Sequence, residues 1–149
     1  MKIPKPKKKI SLRSAIRVTS RDFAEFIKTR DCLSTSGSME MGKCYTCGKF
    51  FTRYELEAGH FLPGRHRSIL LDERACHIQC ILCNRTLMGN PDAYRMRMMA
   101  DYGQTVIDEI EKMNRLSRDY TIEELIKLRR DFRARTACLI LRSIGQISW

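Results

Sequence analysis

Hydrophobic positions recur with a helical period at both ends of the chain and lose it in the middle. Over 19-TSRDFAEFIKTRD-31, Phe23, Phe26 and Ile27 fall on one face, and Thr19 or Ser20 is placed to cap the helix. Toward the other end, 92-DAYRMRMMADY-102 puts Tyr94 and Met98 on neighbouring turns and meets Gly103, a C′ stop. Val106, Ile107, Ile110 and Met113 then mark a helix over 104-QTVIDEIEKMN-114. The box 121-TIEE-124, with Thr121 as cap and Glu124 bonding back, opens a last helix. It runs through Leu125, Leu128 and Phe132 into the apolar tail 137-ACLILRSIGQISW-149.

The middle reads differently. The stretch 33-LSTSGSMEMG-42 has loop composition, and 44-CYTCGKFF-51 forms a knuckle opening a β-hairpin. Residues 53–61 are extended, Pro63-Gly64 turns the chain, and 69-ILLDERACHI-78 returns as a strand. Cys80 opens a short helix that Gly89-Asn90-Pro91 ends. The eight methionines, some clustered in 96-MRMM-99, fit core filling. The fold class is α+β, mostly α: a basic arm over 1–18, a domain over 19–136 whose centre is 43–90 and whose helical part is 91–136, and a tail over 137–149.

Charge adds a partner class. The net charge is +11, and no acid precedes Asp22. Lys7, Lys8 and Lys9 lie in 4-PKPKKK-9, which reads as a nucleic-acid-contacting arm. No apolar run of about 18 residues is present, so no membrane span is expected. No apolar core follows the charged start, so no secretory signal is expected either.

Four of the seven cysteines form two Cys-x-x-Cys pairs, Cys44/Cys47 and Cys80/Cys83. Two thiolate pairs supply the four soft ligands of tetrahedral Zn²⁺, and no coordination position stays open for substrate. The zinc is therefore structural, and the pattern suits a reducing compartment. Cys32, Cys76 and Cys138 lie outside the spacing and read as buried thiols.

A knuckle, a hairpin and a helix starting at the second pair make a treble-clef-like unit, with His60 on the hairpin between the pairs. In that scaffold a histidine can activate water while a ligand on the helix holds a hard cation, which is the logic of ββα-metal, or HNH, nucleases. His60 is the candidate base, the alternative for it being a hairpin histidine bonded to backbone, and Asn84, directly after Cys83, is the candidate divalent-metal ligand. Glu57, two residues before Gly59 and on the same strand face, can supply a carboxylate. Arg65, Arg67, Arg74 and Arg85 lie around this centre in sequence and suit phosphate contacts; for any one of them the alternative is a salt bridge to Asp72, Glu73 or Asp92.

The segments 57-EAGHF-61, 73-ERACHIQCILCN-84, 89-GNPDAYRM-96, 103-GQTVIDEIE-111 and 121-TIEE-124 resemble the NinG, or Rap, recombination nuclease family of lambdoid phages. That family reads D-A-G-H-Y/F, R-N-I/V-H-x-Q-C-x-x-C-N, G-N-x-x-x-Y-R and G-x-x-x-V-D-E-I-E, and the resemblance spans roughly residues 20–135. It implies an endonuclease that uses Mg²⁺ or Mn²⁺ to cut branched DNA, such as Holliday junctions and D-loops, in the cytoplasm of a bacterial host. It carries the base role to His60 and the metal-ligand role to Asn84. It also marks His77, which can hold phosphate, position the metal or brace the hairpin, and Gln79, which suits a structural hydrogen bond. Ala75 stands where the family has Asn, and Gly59 where many HNH enzymes carry a metal-binding Asp. The basic arm stands where the family has a long zinc-bearing extension.

Symmetric cutting of a four-way junction calls for two sites, hence a homodimer joined through the helices after residue 92 or the apolar tail. The alternatives are a non-catalytic zinc-stapled DNA-binding module and a general HNH nicking or homing endonuclease.

Overall fold

A computed structural model of the chain describes residues 10–63 and 68–146. Three helices surround two small antiparallel sheets, an α+β architecture with mostly helical content. α1 spans Leu12–Ser36, β1 Met41–Lys43, β2 Phe50–Thr52, β3 Leu56–His60, β4 Cys76–Cys80, α2 Pro91–Asn114 and α3 Ile122–Ser143.

α1 is longer than its apolar core predicts at both ends. Ser11, not Thr19 or Ser20, caps it, accepting from the Ser14 amide at 3.2 Å. Thr19 instead lies buried inside the helix and donates to the Leu125 carbonyl of α3 at 3.2 Å. Ala15 and the half-buried Leu12 and Ile16 pack against Tyr120 and Leu125, which holds the first turns helical despite their charge. At the other end, Thr35 and Ser36 bond back to the carbonyls of Asp31 and Cys32, so the expected loop begins only at Gly37, in the left-handed region at φ 70°. Residue 18, the expected limit of the arm, therefore falls inside a helix. Lys7, Lys8 and Lys9 lie outside the described residues.

The hairpin expected around the first cysteine pair is β1–β2, with Gly42 opposite Phe51. The returning strand starts later than its apolar run, at Cys76, because a 3₁₀ turn over Glu73–Ala75 intervenes. β3 and β4 pair with Glu57 opposite Gln79, Gly59 opposite His77 and His60 opposite Cys76. The segment after Cys80 is one wide turn over Leu82–Thr86 rather than a regular helix. α2 consists of two helical segments that meet at a kink at Gly103 (φ 78°, ψ 171°), the expected stop. The capping box of α3 forms as expected, with Glu124 N to Thr121 Oγ1 at 3.1 Å and Thr121 N to Glu124 Oε2 at 2.8 Å. α3 continues to Ser143, so residues 137–143 extend a helix rather than form a separate tail.

Two main cores result. Phe23, Phe26 and Ile27 of α1 pack with Leu56, Ile78 and Phe132 around the β3–β4 hairpin. α2 encloses its own core, Tyr94, Met98, Ile107 and Ile110, against Phe61, Ile69 and Ala75. Each such side chain contributes about 1.5–3 kcal/mol by leaving water. Of the methionines, Met98 fills the core as expected, whereas Met88, Met96 and Met99 are exposed. No helix among the described residues is long and apolar enough to cross a membrane.

Candidate functional site

The two cysteine pairs converge. Cys44 and Cys47 sit at the β1–β2 turn, where Gly48 (φ 71°) lets its amide reach the Cys44 carbonyl at 3.0 Å. Cys80 closes β4, and Cys83 lies in the turn after it. The four sulfurs lie within 4.8 Å of one another, with Cys47 and Cys80 at 4.0 Å. A tetrahedral ion with Zn–S bonds of about 2.3 Å sets its sulfurs roughly 3.8 Å apart, so the cluster can hold a metal such as zinc. Burial pushes the Cys44 thiol up, but the Thr46 hydroxyl and the amides of Cys47, Cys80 and Thr46 outweigh it and bring it to about 7. Amides that stabilise a thiolate are what such a ligand needs.

β3–β4 pairing divides the remaining site residues between two faces. Leu56, Ala58 and His60 share one face with Cys76 and Ile78; Glu57 and Gly59 share the other with His77 and Gln79. His60, half-buried at the end of β3, turns toward α1, its ring centroid 6.2 Å from that of Phe23. Its Nε2 lies 3.0 Å from the Leu70 carbonyl and its Nδ1 3.9 Å from Cys76 Sγ. A carbonyl only accepts, so Nε2 carries a proton.

On the other face, Asn84 Nδ2 donates to Glu57 Oε2 at 2.8 Å. Arg85 forms an ion pair with the same carboxylate, and it above all holds the Glu57 carboxyl below its ordinary range. Gly59 explains its own identity. A Cβ there would sit 2.1 Å from Gln79 Oε1 and 3.0 Å from Asn84 Oδ1. Gln79 is fully buried and cannot retreat, because its Nε2 donates to Thr46 Oγ1 (3.1 Å) and the Gly89 carbonyl (2.8 Å). An aspartate at position 59 is therefore excluded by packing, and Glu57 is the carboxylate available. Gln79 Oε1 itself has no hydrogen-bond partner among the described residues.

His60 and Asn84 both line a cleft of about 340 Å³ with Leu62, Pro63, Arg85, Met88 and Pro91. His77 is not brought there. It is buried, stacked on Tyr45 at 3.9 Å between centroids and 7° between planes, with Nε2 2.9 Å from the Tyr102 hydroxyl. Its Nδ1 lies 3.1 Å from Asp31 Oδ2, and Arg30 Nη2 lies 3.1 Å from the same nitrogen. Of the three roles open to it, bracing the hairpin is the one this environment fits.

The sequence reading passed over Asp31 and Arg30. Asp31 also accepts from the Ile78 amide at 2.9 Å, and Arg30 donates to the carbonyls of Glu73 and Cys76. A signal existed: Asp31 continues the buried Phe23–Ile27 stripe at the next i+4 position, where an acid needs a partner.

The arginines divide as well. Arg74 is forked between Asp72 (2.9 Å) and Glu109 (2.9 Å) and so takes the salt-bridge alternative with Asp72, whereas Arg85 pairs with Glu57, a partner outside that alternative. Arg65 and Arg67 lie outside the described residues. Arg13 and Arg17, which with Arg21 form an exposed ridge on α1 opposite Ala15 and Thr19, make no ion pair with a described residue. Lys28 continues that ridge one helical stretch on.

Comparison with known proteins gives a consistent family. Residues 2–140 match the NinG family, described as "Bacteriophage Lambda NinG protein". Protein ninG of Escherichia phage lambda is 32% identical over 90 residues, covering 60% of this chain and 43% of that protein. Protein ninG of Escherichia phage 933W is 35% identical over 82 residues, covering 54% of this chain and 40% of that one. Protein ninG of Salmonella phage P22 is 31% identical over 90 residues. The matched region thus spans about two fifths of the length of these curated relatives. No solved structure matches the chain. The chain belongs to the NinG family.

Proposed function

We propose that this member of the NinG family is a metal-dependent, structure-specific DNA endonuclease of the HNH type. Its substrate class is branched recombination intermediates, Holliday junctions and D-loops. The observation that carries the reading is the cleft that places Asn84, hydrogen-bonded to Glu57 at 2.8 Å, beside His60 on a hairpin stapled by four cysteines. The hairpin, the turn after Cys83 and the cysteine cluster make up the ββα-metal, treble-clef-like centre of this proposal.

Asn84 Oδ1 and the Glu57 carboxylate are hard oxygen donors, which suit Mg²⁺ or Mn²⁺ rather than a soft ion. Such a cation, when bound, offsets the negative charge that builds on the phosphate. The chain's own part is the proton. The Leu70 carbonyl holds Nε2 of His60, and Cys76 Sγ lies 3.9 Å from Nδ1; in the proposed reaction Nδ1 exchanges the Cys76 contact for a water and takes its proton as the water oxygen bonds to phosphorus. The P–O bond to the leaving strand breaks, and a water returns a proton to that oxygen. The four cysteines hold their metal away from this chemistry. The net charge of +11 and the α1 ridge of Arg13, Arg17 and Arg21 support DNA as the partner. Two copies would serve the two strands of a junction, and the exposed Ile126 and Leu141 of α3, with Ile144 just beyond it, offer apolar surface for pairing.

One observation favours a second reading, a zinc-stapled DNA-binding module: the Glu57 carboxylate is already engaged by Arg85. The test is a synthetic four-way junction incubated with Mg²⁺ or Mn²⁺ and either wild type or His60→Ala. The nuclease reading expects cutting by wild type and a loss of about 10²–10⁴-fold in the variant, with binding retained. Binding without cutting by either protein leaves the module.

A further inference from the structure

We propose that Met88 is a wedge: an apolar side chain held rigidly at the mouth of the cleft to enter the break in base stacking at a DNA branch point. The proposal rests on the reading of DNA as the partner and names the part of the molecule that would recognise branching.

Met88 is 82% exposed, although Met98 is fully buried. It is also held in an unfavourable backbone state. Met88 (φ 51°), Gly89 (φ 91°) and Asn90 (φ 48°) are left-handed in succession, and only one of the three is glycine. A side chain there is strained and persists only where its surroundings impose it. They do so here. Leu87 N reaches the Leu82 carbonyl at 2.9 Å, Gly89 N the Cys83 carbonyl at 2.9 Å and Asn90 N the Leu87 carbonyl at 2.8 Å. Gln79 holds the Gly89 carbonyl, and Asn90 Nδ2 lies 3.7 Å from Cys83 Sγ. The segment is thus tied to the cysteine cluster and to the β3–β4 hairpin at once. A strained turn that displays a large apolar group to water has no explanation in the packing of the described residues.

The surroundings specify the occupant. Leu62, Pro63 and Pro91 give the cleft apolar walls, whereas Asn84 and the Glu57-paired Arg85 give it a polar side. That is the mixture needed by a base whose face is apolar and whose backbone is anionic. Methionine is flexible and polarisable, and apolar residues of this kind separate base steps in kinked DNA. In continuous duplex the wedge must break stacking, which is costly; at a branch point stacking is already interrupted. Met88 therefore favours branched over linear DNA without reading sequence.

The test compares wild type, Met88→Ala and Met88→Leu, with matched circular dichroism and zinc content. Each binds a four-way junction carrying 2-aminopurine beside the branch point, or linear duplex of the same sequence, with Ca²⁺ replacing Mg²⁺. Wild type is expected to prefer the junction and raise the fluorescence. Met88→Ala should lose about tenfold in junction affinity. It should also lose the fluorescence rise and bind linear duplex as before, whereas Met88→Leu should keep both signals. Unchanged junction preference and fluorescence in Met88→Ala overturn the proposal. Cleavage is scored separately with Mg²⁺. A wild type that cuts while Met88→Ala behaves normally removes the wedge and keeps the nuclease; a junction-selective binding loss in a protein that never cuts does the reverse.

Discussion

His60 and His77 stand on paired strands, each in a motif that reads as chemistry, and the fold gives them opposite surroundings. Gly59, the strand neighbour of His60, pairs with His77, so the two imidazoles leave the hairpin on different faces. His77 is enclosed by Tyr45, Tyr102, Asp31 and Arg30, so its hydrogen bonds are spent within the protein. His60 remains half-buried at the strand end, with its protonated nitrogen fixed on a carbonyl and its position bordering a cleft. The contrast teaches that a histidine's role follows from what surrounds its two nitrogens, which residue identity does not reveal.

The largest expected effect removes the frame that both histidines share. Chelation of the metal, or Cys80→Ser, withdraws a contribution of about 10 kcal/mol or more. It should abolish cooperative unfolding of the central hairpin, read by circular dichroism, while a chromophoric chelator reports one zinc per chain released. Retained cooperativity would mean that the cysteines hold no structural metal.

Separating the two histidines comes next. Asp31→Ala leaves Arg30 without its buried partner and orphans the Ile78 amide, so it should cost about 3–5 kcal/mol. His60→Ala, at the cleft, should cost less than about 1 kcal/mol of stability. Urea denaturation of both variants checks the ranking, and a reversed order would break the comparison.

Gly59→Ala probes the boundary between the two faces. Its Cβ would meet the immobile Gln79 amide at 2.1 Å, so a loss of about 1–3 kcal/mol is expected. The double variant with Gln79→Ala should recover part of that loss, because the atom in conflict is then gone.

The smallest effect depends on pH. Burial raises the Asp31 carboxyl, but hydrogen bonds and charge from His77 and Arg30 outweigh it, leaving the group below its ordinary range. A carboxyl held below its unfolded value of 3.8 stabilises the fold at every pH above that value. The contribution disappears as pH falls through the lower, folded value. Wild type should therefore lose stability more steeply than Asp31→Asn below about pH 4. Parallel acid-denaturation curves would show that Asp31 is not the coupled group.

Much of the frame was legible because it depends on neighbours in sequence. Cys44/Cys47 and Cys80/Cys83 announce their convergence through coordination chemistry, and Thr121 with Glu124 announces a helix start through a bond three residues long. The break at Gly103 follows from the backbone freedom of glycine. The start of α1 was misplaced because Leu12, Ala15 and Ile16 become helical by packing on Tyr120 and Leu125, more than a hundred positions away. The pairing of Arg74 with Asp72 was one of the alternatives legible from sequence, whereas its second partner Glu109 and the Glu57 partner of Arg85 are remote in sequence and were not.

By itself, then, the sequence determined the convergence of the four cysteines, the α+β character, the capping box of α3 and the basic charge, all of which follow from local spacing and residue chemistry. Only the tertiary structure decided that His60 faces α1 while His77 is walled in, that Gln79 forbids a side chain at Gly59, and that Met88 is displayed beside Asn84. Those outcomes depend on which distant groups fill the space around a side chain. Strand alternation sends neighbouring residues to opposite faces, but only packing supplies what each face meets.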